Sequence, residues 1–147
     1  MINIILAVDG SEPSVAATRA LIKHRAMFIE PVAIHLLHVS APIPRLYGMH
    51  VVVDSETIER IIREDAEQAM MSSKILLNKW GIAYQSGHFV GEVAYTINDY
   101  AITHEADFIY VGARGLGAFR GAVLGSTTMK LLQSAKSPVV VIHANEH

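Results

Sequence analysis

Five short apolar runs alternate with four amphipathic stretches along this chain, and that alternation limits its folds more than any other feature. The runs are residues 2–8, Val32 to Val39, 82–89, 107–111 and Val139 to Ile142. Each is short and continuous, the pattern of a strand buried on both faces of a parallel sheet. Between the first two, Ser11-Glu12-Pro13 places an N-cap hydroxyl and a first-turn proline ahead of a helix to about Met27. From Ser55 a longer helix carries Ile58, Ile61, Ile62, Ala66, Ala69, Met70, Leu76, Leu77 and Trp80 at helical spacing, with Lys79 late and Gly81 just beyond. Val93, Ala94, Ile97, Tyr100 and Ala101 mark a third helix, and Gly125-Ser126 opens a fourth to about Ala135. Strand and helix in alternation make an α/β fold, a parallel sheet of five strands covered by helices on both faces.

Length and composition agree with one domain over residues 1–147. Half the residues are apolar and 18% are charged, which excludes a disordered chain. A net charge of −2 gives no basis for a nucleic-acid or anionic-membrane partner. Without cysteine there is neither a disulfide framework nor a thiolate site. Met1 to Leu6 lacks a basic leader and runs directly into Asp9, so it reads as a first strand, and no apolar run reaches membrane-spanning length. The expected location is the cytoplasm.

The chemistry gathers at two strand ends. Strand four is followed by Gly112-Ala113-Arg114-Gly115, nine residues, and then Gly125-Ser126. No Asp or Glu occurs between Asp107 and Glu146, while Arg114, Arg120, Lys130 and Lys136 all do. A slightly acidic chain has thus built a cationic, glycine-rich loop before a helix start, which suits the phosphates of a nucleotide. Amide groups at Gly112, Gly115, Gly125, Ser126 and Thr127 are candidate donors to phosphate oxygens. Strand one ends in Asp9-Gly10-Ser11. If the chain runs outward through strands one to three and returns to set strand four beside strand one, in the doubly wound order 3-2-1-4-5, the winding reverses between strands one and four, where open parallel sheets bind ligands. Both motifs then flank one crevice, with Asp9 available to adenine or ribose donors.

Val8-Asp9-Gly10-Ser11 together with Gly-x-x-Gly, nine residues and Gly-Ser strongly resembles the universal stress protein (UspA-like) family, in its ATP-binding subset. The resemblance extends to Ala106-Asp107-Phe108-Ile109 and to Ser137-Pro138-Val139-Val140-Val141. It implies a five-stranded doubly wound domain, ATP binding and a homodimer, with Val39 meeting adenine through its backbone and Val111 beside the ribose. Ala113 stands where the family commonly has Ser or Thr, and Thr127 where Val is frequent; these changes keep the backbone donors but remove one side-chain bond. Taken together, the nucleotide-site residues are Ala7, Val8, Asp9, Ser11, Val39, Val111, Gly112, Arg114, Gly115, Gly125, Ser126 and Thr127. The expected ligand is ATP, with or without Mg2+; AMP, ADP and cAMP are the alternatives. With no acid in the loop and no Gly-Lys-Ser/Thr element, the expected activity is binding with at most slow hydrolysis or autophosphorylation.

Other features carry less. His35 and His38, three apart on a strand, point to opposite faces, and His143 and His147 lie near a tail, so no zinc site is expected among the eight histidines. Met27, Met70, Met71 and Trp80 are expected to pack on helices, and the charges at 56–68 to form a solvated face. Residues 40–53, with Pro42, Pro44 and Gly48, read as a loop long enough for a lid or binding segment. Val139 to Ile142, apolar and at the sheet edge, suits self-pairing about a two-fold axis through residues 139–143. Three other readings stand beside the nucleotide binder. They are a nucleotide-free dimerisation module, a cAMP binder, and a nucleotidyl-transferase relative, for which His88 and His104 have no suitable setting.

Overall fold

The computed structural model describes residues 1–42, 54–115 and 123–144. Its elements are β1 (Ile2–Ala7), α1 (Glu12–His24) with a 3₁₀ turn over Arg25–Met27, β2 (Val32–Ser40), α2 (Ser55–Lys79), β3 (Tyr84–Val90), α3 (Val93–Thr103), β4 (Phe108–Gly112), α4 (Ser126–Ser134) and β5 (Val139–Ile142). The five strands form one parallel sheet in the order β3-β2-β1-β4-β5. Ile4 of β1 faces Ile34 on one side and Phe108 on the other, so β1 is central and the winding reverses between it and β4.

The strand period of two sorts the core into two layers. Ile4 and Leu6 pack with Ala17 and Leu21 of α1 and with Ala66, Met70 and Leu77 of α2. Ile5, between them, points the other way and packs with Ala94, Ile97 and Ala101 of α3 and Leu131 of α4. Ile4, Ile5 and Leu6 are wholly buried, and each such side chain contributes about 1.5–3 kcal/mol relative to exposure.

Local signals begin the helices where the sequence places them. Ser11 caps α1 by accepting from the Ser14 amide, with Pro13 in the first turn. Asp54 caps α2 by accepting from the Thr57 amide at 2.7 Å, which holds its carboxyl below the usual carboxylate range. Glu92 caps α3 through the Tyr95 amide, and that bond, aided by Lys130, likewise lowers its carboxyl. The 40–53 loop falls largely outside the described residues, as do Arg120 and His147.

Packing corrects the expectation for three large side chains. Met70 is buried, but Met27, Met71 and Trp80 are exposed. The buried stripe of α2 is Ala66, Ala69, Met70, Ser73 and Leu77. Met71 lies a further ~100° around the helix, and Trp80 is the residue at its C-terminal cap. His35 and His38 are held by separate partners: His35 Nδ1 meets the Tyr100 hydroxyl at 3.0 Å, and His38 Nδ1 donates to the Val8 carbonyl at 2.8 Å.

Candidate functional site

Two turns, one after β1 and one after β4, are locked together at the carboxyl end of the sheet. After β1, Gly10 takes φ of +85°, a left-handed conformation that glycine adopts without strain. The turn is closed by the Ser11 amide donating to Asp9 Oδ1 at 2.9 Å and by the Ser14 hydroxyl donating to the Ser11 carbonyl at 3.0 Å. After β4, Gly112 runs directly over the start of α1. A β-carbon at Gly112 would stand 2.6 Å from the Pro13 carbonyl carbon and 2.7 Å from the Ser14 nitrogen. Only glycine permits that approach.

The second turn is then tied to α4. Ala113 N–H donates to the Ile142 carbonyl at 2.8 Å, Gly125 N–H to the Ala113 carbonyl at 2.7 Å, and the Thr128 hydroxyl to the Gly112 carbonyl at 2.9 Å. Gly125 packs against Arg114, whose Cα would lie 3.3 Å from a β-carbon added there. The Ser11 hydroxyl reaches the Arg114 carbonyl at 3.5 Å, a long bond that links the two turns.

These ties decide which groups remain for a ligand. The Gly125 amide, one of the donors read from sequence, is spent on Ala113 within the protein. The first α-helical bond of α4 runs from Met129 N–H to the Gly125 carbonyl. The preceding amides, at Ser126 and Thr127, therefore have no partner inside the helix and point out of its positive end. An anion placed there would gain both donors and dipole.

Between the turns lies a cavity of about 240 Å³. Its apolar lining comes from Ala7, Val8, Leu37, Val39, Val93, Ile97 and Val111. The polar lining is Asp9, Ser14, Gly112, Arg114, Gly115, Gly125, Ser126, Thr127 and Thr128. Eleven of the twelve residues marked from sequence line this one space; the twelfth, Ser11, is buried and occupied as the α1 cap. Among the described residues of the lining, Asp9 is the one carboxylate and Arg114 the one cation.

Five lining residues were not read from sequence. Ser14 and Thr128 hide in helical first turns, where hydroxyl residues are commonplace. Leu37, Val93 and Ile97 belong to apolar stripes whose far ends reach the crevice only because β2 and α3 flank it. Among the described residues no group of three His, Asp or Glu side chains could hold a metal ion. No described helix is long and apolar enough to cross a membrane.

The fold recurs in known proteins. UspA from Lactobacillus plantarum superposes with a TM-score of 0.77 at 23% identity, covering 96% of this chain and 97% of that one. Three ligand complexes share the fold. A universal stress protein in complex with cAMP has a TM-score of 0.58 at 22% identity, covering 98% of both chains. An Arabidopsis thaliana family protein with AMP bound has a TM-score of 0.67 at 17% identity, covering 99% and 93%. The Archaeoglobus fulgidus protein in complex with dAMP has a TM-score of 0.63 at 21% identity, covering 97% and 98%. In sequence, a universal stress protein of Mycolicibacterium smegmatis is 32% identical over 147 residues, 98% of this chain and 49% of that protein. The chain thus spans about half the length of that relative. One from Methanocaldococcus jannaschii is 26% identical over 141 residues, 95% of this chain and 81% of its own. The profile of the Universal stress protein family matches residues 1–143. This chain belongs to the universal stress protein family.

Proposed function

We propose that the chain binds an adenine nucleotide, ATP foremost, in the crevice between β1 and β4, as a dimeric cytoplasmic stress-response or signalling domain with little or no turnover. The carrying observation is the convergence of an apolar wall and the N-terminal end of α4 on one cavity. Val39 and its apolar neighbours suit an adenine face, Val111 the ribose, and the Ser126 and Thr127 amides with Arg114 the phosphates. Each charge-assisted bond contributes roughly 1.5–3 kcal/mol, and after the cost of association the affinity is on the order of micromolar. The similar folds complexed with cAMP, AMP and dAMP support adenine as the base. With Asp9 the one carboxylate among the described lining residues, a Mg2+ ion would enter chiefly on the phosphates.

Calorimetric titration of ATP into the wild type and into Gly125→Val tests the reading. Binding at micromolar ATP, weakened about tenfold or more by the valine, is expected. No measurable heat at millimolar ATP would overturn it and favour a nucleotide-free dimerisation module. Competition with AMP, ADP and cAMP ranks the alternatives. Turnover is expected far below the roughly 1–1,000 s⁻¹ of ordinary enzymes. The apolar, β-branched edge strand β5 suits the dimer contact, and sedimentation at varied concentration checks the dimer itself.

A further inference from the structure

A second concavity, of about 770 Å³, lies where the C-terminal ends of α1 and α2 meet. Strand ends and helix starts build the nucleotide crevice at one end of the sheet, so this groove lies at the opposite end. Four exposed cations line it: Arg19, Lys23 and Arg25 from α1 and its 3₁₀ turn, and Lys79 from α2. Among the described residues, no acid is in the lining and none of the four cations forms an ion pair. Between them lie the partly buried Ile22 and Leu76 and the indole of Trp80, which is 60% exposed. Met27, just beyond this stretch, is 76% exposed.

Cations near helix C-termini offset the dipole, which accounts for Lys23, Arg25 and Lys79. It accounts neither for Arg19, a turn further back in α1, nor for a tryptophan left in water. Trp80 is the sole tryptophan of the chain. Indole and arginine are the side chains that most often anchor protein interfaces.

We propose that this groove docks an acidic segment of a partner protein that carries apolar anchors, with carboxylates on the cationic rim and apolar side chains against Ile22, Leu76 and Trp80. Charge complementarity selects an anionic partner, since the groove is positive on a chain whose net charge is −2. The aliphatic floor selects a peptide over a nucleic-acid strand. Single strands bind through successive stacked bases, and Trp80 is the one aromatic among the described residues lining this groove.

Trp80 also reports the event. The probe is a synthetic peptide alternating Glu-Glu-Leu and Glu-Asp-Phe triplets, free of tryptophan, titrated into the whole chain while indole emission is followed. A saturable blue shift is expected, weakening as salt is raised and unchanged in Gly125→Val. The double variant Lys23→Glu/Lys79→Glu, its fold checked by circular dichroism, is expected to weaken binding about tenfold or more, and Lys23→Gln/Lys79→Gln by less. Any of four results overturns the proposal. These are no saturable shift at millimolar peptide, an equal response to a peptide with Ser in place of Leu and Phe, insensitivity of wild-type binding to salt, or tighter binding of oligothymidylate. Self-association that itself buries Trp80 would also overturn it by assigning the groove to a second copy of this chain.

Discussion

Gly115 lies against the carboxylate of Asp9 so closely that a β-carbon at position 115 would collide with Asp9 Oδ2. The two residues come from the turns after β4 and β1, which are far apart in sequence. Neither Gly112, Gly115 nor Gly125 adopts a left-handed φ; among the described residues, only Gly10 and Gly81 do so among glycines. These three glycines are therefore needed for close approach and not for conformational freedom. This separates their substitutions into two kinds.

At Gly112 an added methyl meets the backbone of Pro13 and Ser14, which cannot move without shifting the start of α1. Gly112→Ala is expected to cost about 1–3 kcal/mol of stability, measured by urea unfolding. At Gly115 the obstacle is a side chain, which can rotate away. Gly115→Ala should cost under about 1 kcal/mol of stability and instead weaken nucleotide binding by displacing Asp9. Equal stability losses at both positions would refute the distinction.

Thr18 and Ser73 join α1 to α2 inside the core. Their hydroxyls are 2.8 Å apart and both residues are buried. Thr18 donates to the Ser14 carbonyl, so the Ser73 hydroxyl donates to Thr18. Thr18→Val strands that donor and should cost about 1–2 kcal/mol. Thr18→Val with Ser73→Ala should cost less than the sum of the single changes, and a strictly additive double-mutant cycle would count against the pairing.

His35 links stability to pH. Burial first, and then the neighbouring His104, hold its imidazolium below the ordinary value of 6.5. Tyr100 of α3 and His104 at its C-terminal cap face it, with ring centroids 5.7 and 5.0 Å away. Above the unfolded value His35 is neutral in both states and costs nothing. As pH falls below about 6.5 the unfolded chain takes the proton first, so stability drops until the lowered folded value is passed. Between pH ~7.5 and ~5.5 the wild type should lose more stability than His35→Gln, read from urea midpoints. Parallel pH profiles would exclude His35 as the source.

The outer edge of β5 can be altered without touching its ladder to β4. Pro138 and Ile142 turn their carbonyls towards β4, accepting from Ile109 and Ala113. By the period of two, Val139 and Val141 turn their backbone groups outward. Val141→Pro thus removes an edge N–H and no bond to β4. If two copies pair through this strand, the variant should sediment as a monomer at concentrations where the wild type is a dimer. An unchanged dimer would move the interface elsewhere.

Much of this architecture is written locally. Ser11, Asp54 and Glu92 mark helix starts by hydrogen-bonding chemistry that acts over three residues. The alternation of Ile4, Ile5 and Leu6 between two core layers follows from the strand period alone. Gly112, Gly115 and Gly125 signal a close approach by their spacing, though the sequence does not say what approaches. Trp80 and Met71 mislead because an apolar stripe on a long helix is wider than the sheet beneath it.

By itself, the sequence determined the element order and the two polar turns, because capping, periodicity and glycine placement are local. Only the tertiary structure decided that Asp9 fills the space beside Gly115, that the Gly125 amide is spent on Ala113, and that Val93 and Ile97 close the apolar wall. Likewise, only packing brought Arg19, Lys23 and Lys79 round Trp80 at the far end of the sheet. Such outcomes depend on distances between residues remote in the chain, which no local pattern encodes.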